Sequence, residues 1–187
     1  NYGFYLGATN RNIEEIRALR VGEAAGIKVF MGASTGDMLV DSPEALEKLF
    51  ADAPVIVVTH CEHTPTIRDN EARAKAEYGE NVPIAEHPRI RSAQACLTSS
   101  SMATELARRH GSLLHVLHLT TAIEMALFSR THRNDKRITA EVCVHHLWFD
   151  ESRYTDLGAR IKCNPAIKTA QDRQALIKAV NDGRIDI

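Results

Sequence analysis

Short apolar runs alternate along the chain with segments of helical periodicity. The run at 54–60, PVIVVTH, is apolar until its polar end, which is typical of a buried parallel strand. Similar runs predict strands at 3–8, 27–32, 113–119 and 137–144, and the start of a sixth at 184–187. Strands that alternate with helices indicate a parallel α/β architecture.

The segments between these runs predict helices. Residues 12–26 have apolar positions at helical spacing, with Gly26 as the expected stop. Ser42 and Pro43 predict the N-cap and first turn of the next helix. Further helices are expected within 61–110, with breaks at Gly79 and Pro83 and an end at His110-Gly111, over 121–130, and over 170–181 before Gly183.

The number of strands bears on the architecture. About six predicted strands are fewer than the eight of a closed (β/α)₈ barrel, which typically needs about 250 residues. We therefore expect residues 1–187 to be the central part of a single (β/α)₈ catalytic domain of the TIM type. Its first strands and the end of its last strand are expected to lie outside this sequence.

Composition excludes several classes of function. Lys and Arg number 23 against 24 Asp and Glu, so no basic field exists to attract nucleic acid or an anionic membrane. No apolar run approaches the roughly 20 residues of a transmembrane helix, and the N-terminus does not resemble a signal peptide. The four cysteines are scattered without a C-x-x-C motif, which favours a reducing, cytoplasmic location.

Histidines at strand ends are the first candidates for chemistry. His60 ends one predicted strand, with Glu62 at the next position on the same face, and His118 lies near the end of another. Because function in parallel α/β folds collects at the C-terminal ends of strands, the two histidines could converge on a zinc ion. A single histidine at a strand end, however, is more often a hydrogen-bonded loop residue than a metal ligand. His115 is predicted on the opposite face, packed against a helix.

Lys28 lies inside the apolar strand GIKVFMG, where an ammonium group is unfavourable unless it is paired. Two explanations remain open from the strand alone. An edge-strand lysine could extend its amine to water, and the strand pattern by itself favours this explanation. Alternatively, a buried lysine with a lowered pKa could add carbon dioxide and become a carbamate, an anion whose two oxygens can bridge two cations.

Five segments together resemble the dihydroorotase family of the amidohydrolase superfamily, which also includes hydantoinases and allantoinases. The segments are GIKVFMGASTGDMLV, VVTHCE, LHVLHLTT, ITAEVCVHHLWF and IKCNPAIKT. They are spread over nearly the whole chain and occur in the order found in that family. Each is weak alone, and the resemblance depends on all five in register.

The resemblance implies a (β/α)₈ barrel with two zinc ions bridged by a carboxylated lysine. Lys28 matches that lysine, and His60 and His118 match the two single histidine ligands. Asn164 matches a residue near the substrate ring. Glu141 and His146 match positions close to the metals, where such residues orient ligands without binding substrate.

Two expected parts of the family site have no match in this sequence. The family's His-x-His pair is expected before Asn1, and the aspartate that binds metal and acts as general base is expected beyond Ile187. Asp186 precedes the expected position of that aspartate, so no catalytic residue is nominated within the chain. The 187 residues alone are therefore expected to be inactive.

The activity implied by the resemblance is reversible interconversion of dihydroorotate and N-carbamoyl-L-aspartate in pyrimidine biosynthesis. The expected partners are this small-molecule substrate and other copies of the chain, in a homo-oligomer such as a dimer, with neither nucleic acid nor membrane. Two alternatives stay open. One is an allantoinase or a dihydropyrimidinase (hydantoinase), and the other is a non-catalytic dihydroorotase-like scaffold for aspartate transcarbamoylase.

Overall fold

A computed structural model describes residues 2–32, 34 and 36–187 of the chain. Within these residues a five-stranded parallel sheet has the order β1-β2-β3-β4-β5. Its strands are β1 (Tyr5–Gly7), β2 (Gly26–Phe30), β3 (Val57–His60), β4 (Leu114–Val116) and β5 (Ile138–Ala140). The predicted parallel α/β architecture is confirmed. Ala33 and Thr35, in the middle of the first family motif, lie outside the described residues.

The sixth predicted strand does not form as a strand. Residues 184–187 instead run beside the end of β5, where the Asp186 amide donates to the Ala140 carbonyl at 2.8 Å. The Asp186 side chain also accepts from the Ala140 amide and from Lys136 Nζ at 2.8 Å, and both side chains are buried. Asp186 therefore has a structural role here.

The helices cover one side of the sheet. Their bounds are α1 (Ile13–Ala18), α2 (Pro43–Asp52), α3 (Thr64–Tyr78), α4 (His87–Ile90), α5 (Ala93–His110), α6 (Val144–Trp148), α7 (Tyr154–Leu157) and α8 (Ala170–Asn181). Ser42 caps α2 as predicted, because its hydroxyl accepts from the Ala45 amide. Gly111 ends α5 in the left-handed conformation, also as predicted. Among the described residues, no helix combines the length and apolar character needed to cross a membrane.

Two helix predictions are wrong in extent. The helix expected over 12–26 ends at Ala18, because Leu19 is extended and the following turn is closed by Glu23, whose carboxylate accepts from the Arg20 amide. Gly26 begins β2 rather than stopping a helix. A Cβ there would lie 2.8 Å from the Ile56 carbonyl, so glycine is required by close strand packing. The helix expected over 121–130 is only a 3₁₀ turn at Ile123–Leu127.

Strand register separates the sheet into two faces. Ile27, Val57 and Leu114 are aligned partners that are fully buried under the helices, and they form part of the main hydrophobic core with Leu49 and Phe50 of α2. We call this side the helix-covered face. The aligned set one residue later points the opposite way, and it defines the inner face: Lys28, Val58, His115 and Thr139.

Candidate functional site

Lys28 lies on the inner face in the middle of β2. This strand has β1 on one side and β3 on the other, so the edge-strand explanation for the lysine is wrong. Its Nζ is buried, lies 4.2 Å from the centre of the Phe30 ring, and has no hydrogen-bond partner in the described part of the chain. Burial lowers the pKa of Lys28 from 10.5 to about 8, although the Glu141 carboxylate partly opposes this shift.

His60 and His118 meet at the ends of β3 and β4. His60 Nδ1 lies 3.1 Å from His118 Nε2, and the two rings pack edge to face. The other His60 nitrogen, Nε2, is 2.9 Å from a carboxylate oxygen of Glu62. His118 Nδ1 is buried without a hydrogen-bond partner among the described residues. Burial and the neighbouring His60 and Lys28 lower the pKa of His118 to about 4, so its ring is neutral at pH 7.

The backbone explains why His118 reaches the inner face. β4 ends at Val116, and His118 has a φ of 39°, an unusual conformation for a residue other than glycine. Its amide donates to Glu141 Oε1 at 3.2 Å. The predicted alternation fails because the strand has already ended, so three residues of separation leave two histidines on one face.

His115 is therefore not packed against a helix, as the sequence predicted. Its ring contacts Thr139 Oγ1 at 2.9 Å and Glu141 Oε2 at 3.1 Å on the inner face. The hydrogen bond with His115 lowers the pKa of Glu141, which keeps this carboxylate ionised. Glu141 thus holds both the His115 ring and the His118 backbone, next to an open groove of about 340 Å³.

Behind His60 lies a buried charged pair. Glu62 is fully buried, and its carboxylate contacts both the His60 ring and the Arg91 guanidinium, the latter at 2.5 Å. Burial alone would raise the pKa of Glu62, but His60 and Arg91 hold it below its ordinary value. The strand ends are also close, because a Cβ on Gly32 would lie 1.7 Å from the Glu62 carbonyl.

His146 and Asn164 lie at different distances from this group. His146 follows β5 in α6, is buried, and contacts the Pro165 carbonyl through Nε2 at 3.1 Å. Asn164 is exposed beside a groove of about 240 Å³ that is also lined by Arg91 and His87. Asn164 shares this groove with Arg91, which contacts Glu62 behind His60.

The structure brings together four of the residues singled out from the sequence: Lys28, His60, His118 and Glu141. Sequence reasoning missed Arg91 and misplaced His115. Register gives a usable signal for His115, since it aligns with Val58 and hence with Lys28. Arg91 lies 29 residues from Glu62, and no local pattern links the two.

Both the spacing and the burial of the nitrogens in this group suit a metal site. Two imidazole nitrogens bound to one tetrahedral zinc at 2.0–2.1 Å lie about 3.3 Å apart, close to the 3.1 Å between His60 and His118. Lys28 Nζ and His118 Nδ1 are buried polar atoms that find no partner within residues 2–32, 34 and 36–187. Buried polar groups are normally satisfied, so these atoms fit a site that is completed by another group.

Comparison with known proteins gives relatives for the chain, although no family model matches it. A dihydroorotase from Pediococcus pentosaceus is 40% identical over 81 residues, which cover 43% of this chain and 19% of that protein. An allantoinase from Streptomyces avermitilis is 27% identical over 188 residues, which cover 98% of this chain and 41% of the allantoinase. The chain thus spans about two fifths or less of these curated relatives.

Solved structures show the same fold. The L-hydantoinase (dihydropyrimidinase) from Arthrobacter aurescens matches the whole chain over 42% of its own length, with a TM-score of 0.88 and 22% identity. An inactive dihydroorotase-like domain of a Chaetomium thermophilum CAD-like multifunctional protein matches with a TM-score of 0.62 and 17% identity. These matches confirm that the sheet is part of a TIM-type barrel. The chain is thus similar in sequence to dihydroorotases and allantoinases, and it shares its fold with hydantoinases.

Proposed function

We propose that the chain contributes Lys28, His60 and His118 to the zinc centre of a cyclic amidohydrolase. The observation that supports this most directly is a pair of buried nitrogens that have no partner among the described residues, Lys28 Nζ in β2 and His118 Nδ1 just after β4, beside His60 at the end of β3. Carboxylated Lys28 and the facing nitrogens of His60 and His118 would hold two zinc ions. Ions held there would supply Lewis-acid polarisation of an amide carbonyl and activation of water.

The amine of Lys28 can be converted into the bridging ligand by reaction with carbon dioxide. Its lowered pKa leaves part of the amine neutral near pH 7, and only the neutral amine attacks carbon dioxide. A C–N bond then forms and one proton is released, leaving a carbamate with a negative charge. The carbamate would replace an isolated buried ammonium by an anion whose two oxygens can be paired with cations, which offsets the cost of burying the charge.

The histidines are held in a ligand-competent orientation by their neighbours. When Glu62 accepts the proton on His60 Nε2, the lone pair on His60 Nδ1 faces His118. Arg91 keeps Glu62 ionised, so this tautomer is favoured. The Glu141 carboxylate accepts a hydrogen bond from the His118 amide and so fixes the backbone there. We also propose Asn164 for substrate binding and Glu141 for support of the metal ligands. His146, whose ring contacts the Pro165 carbonyl and the Cys163 thiol, makes no hydrogen bond with these ligands in the described residues.

The substrate that we propose is dihydroorotate, which is reversibly hydrolysed to N-carbamoyl-L-aspartate in pyrimidine biosynthesis. The dihydroorotase match at 40% identity supports this choice over its 81 residues. The whole-length match to an allantoinase favours allantoin as the second candidate, or a related cyclic amide of the hydantoinase type. We further propose that the domain acts in the cytoplasm as a homo-oligomer.

A non-catalytic scaffold is the third candidate, because the same fold occurs in an inactive dihydroorotase-like domain. The presence of Lys28, His60 and His118 in one cluster argues against it. A scaffold has no need of a buried, unpaired lysine amine, which is unfavourable for stability. Metal content and turnover, measured together, separate these possibilities.

The test uses the native polypeptide that carries this sequence, purified with zinc and bicarbonate. We expect bound zinc and the highest kcat/KM for dihydroorotate when dihydroorotate, allantoin and hydantoin are assayed side by side. Lys28→Ala should lose most of the zinc and nearly all turnover, with partial rescue by a short carboxylic acid. Lys48→Ala, on the exposed side of α2, is the matched control and should retain both.

Each result has a definite meaning. Preference for allantoin or hydantoin would replace the proposed substrate but keep the metal centre. Normal zinc content in Lys28→Ala would contradict the assignment of Lys28 as a ligand. Zinc binding without turnover of any cyclic amide would favour the scaffold.

A further inference from the structure

A second group of potential metal ligands lies at the turn between β5 and α6. Cys143, His145 and His146 each offer a ligand atom, and these atoms all lie within 4.8 Å of one another. The rings of His145 and His146 have centres 4.3 Å apart. The group shares no residue with Lys28, His60 and His118.

The hydrogen bonds of His146 indicate which of its nitrogens is available. Its Nε2 lies 3.1 Å from the Pro165 carbonyl, which only accepts, so the ring proton is on Nε2. The lone pair is therefore on Nδ1, which is buried and has no hydrogen-bond partner in the described residues. His146 is only 4% exposed. A ring that donates one N–H to a backbone carbonyl and leaves the other nitrogen bare has the arrangement of a metal-binding histidine.

Cys163 completes the surroundings of His146 without being a ligand. Its thiol lies 3.2 Å from the same Pro165 carbonyl and 3.6 Å from His146 Nε2. It is therefore on the proton-bearing side of the ring, away from the bare Nδ1. This thiol helps to hold the carbonyl that orients His146.

The accessibility and chemistry of the other two groups suit a metal ion. Cys143 and His145 are half-buried, so an ion can reach them from solvent while His146 anchors the inner side. One thiolate and two imidazoles form a ligand set typical of zinc and similar borderline cations. The Cys143 thiol releases its proton when the metal binds, as thiol ligands do.

We propose that Cys143, His145 and His146 form a separate binding site for a borderline divalent cation such as Zn²⁺. Three protein ligands leave the fourth tetrahedral position to water or to a small ligand. Ligand atoms separated by up to 4.8 Å require the half-buried side chains to move inward by rotation. His146 stays in place because its ring is held by Pro165.

The experiment is a Co²⁺ titration of the chelator-treated full chain under reducing conditions, followed by displacement with Zn²⁺. A thiolate bound to Co²⁺ gives a sulfur-to-metal charge-transfer absorption in the near ultraviolet, which ligation by nitrogen and oxygen alone does not give. We expect the wild type to show this band and Cys143→Ser to lose it. Cys163→Ser, the matched control, should keep it.

A second variant covers the case in which Cys143→Ser does not fold, which circular dichroism will reveal. His145→Gln retains the thiolate and should weaken Co²⁺ binding at this band by at least about tenfold. The proposal is overturned by any of three results: no band in the wild type at excess Co²⁺, an undiminished band in Cys143→Ser, or an unchanged affinity in His145→Gln.

Discussion

The two faces of the sheet differ in the polarity of their buried side chains, although residues of the two faces alternate along the same strands. On the helix-covered face, Ile27, Val57 and Leu114 are fully buried and pack into a continuous apolar core. On the inner face, Lys28 and His118 are largely buried but have polar atoms without partners among the described residues. The first face supplies stability, whereas the second contains unfavourably buried polar atoms in the region of the proposed zinc centre.

The comparison predicts opposite effects on stability and function at Lys28. Lys28→Met keeps the length of the side chain and removes the unpaired amine. Turnover and bound zinc of the native polypeptide should fall by more than about 100-fold. The free energy of unfolding of the metal-free protein should rise by about 1 kcal/mol, because a buried polar group is lost.

Urea unfolding after chelation and a metal analysis measure both quantities. Lys48→Met on the exposed surface of α2 serves as the control and should change neither. A metal-free Lys28→Met protein that is clearly less stable than the wild type would show that the amine has a stabilising partner.

The helix-covered face should respond in the opposite way. Leu49 is 1% exposed within the core, so Leu49→Ala should lower the free energy of unfolding by about 2–5 kcal/mol through lost burial and a residual cavity. Zinc bound per folded molecule should stay unchanged. Leu113→Ala, at a position that is 43% exposed, is the control and should have a much smaller effect in the same denaturant titration. Loss of zinc at full folding in Leu49→Ala would mean that the two faces are not independent.

A fall in pH should lower the stability of the metal-free protein through the buried His118 on the inner face. An imidazole in the unfolded chain takes up a proton near pH 6.5, whereas folded His118 stays neutral down to about pH 4. Between these values the unfolded state binds more protons, so the free energy of unfolding of the metal-free protein should fall as the pH drops.

Unfolding titrations between pH 7 and pH 4 test this expectation. His118→Asn should reduce the slope of stability against pH, leaving the part due to other buried histidines such as His146. His132→Asn, at an exposed position, should leave the slope as it is in the wild type. An equal slope in wild type and His118→Asn would contradict the burial of a neutral ring.

The smallest expected effect concerns a helix end on the covered side. Ser42→Ala removes the acceptor for the Ala45 amide and should lower the free energy of unfolding by about 1 kcal/mol. Ser42→Asp retains an acceptor and should restore most of the loss. Thermal unfolding of the three proteins suffices for this comparison, and equal stability of Ser42→Ala and wild type would show that the cap contributes nothing.

Features governed by neighbours in sequence were predictable. The cap at Ser42 and the stop at Gly111 depend on local backbone chemistry, and both are where the pattern indicated. Features governed by a distant partner were not. Gly26 is a residue typical of helix ends, but a glycine is required there because the Ile56 carbonyl, just before the next strand, leaves no room for a Cβ.

The candidate site divides in the same way. Strand-end position and resemblance to a family pointed to Lys28, His60 and His118, which the structure brings to one face. Whether His115 and His118 share a face depended on where β4 ends, which the apolar run LLHVLHL does not reveal. Arg91 became visible only once the fold placed it against the buried Glu62.

The strand order has a consequence for how the chain folds. In the described sheet, β1 to β4 each pair with the strand that follows in sequence. β2 can therefore pair with β1 before β3 has been synthesised. During synthesis, each β-strand and the helices before the next one can add to the growing edge as they leave the ribosome, without waiting for distant segments. Loop closure is then limited to one crossover at a time, which keeps the entropic barrier of each step small. Assembly should therefore proceed in order along the chain, with His60 and His118 meeting only after α5 is in place.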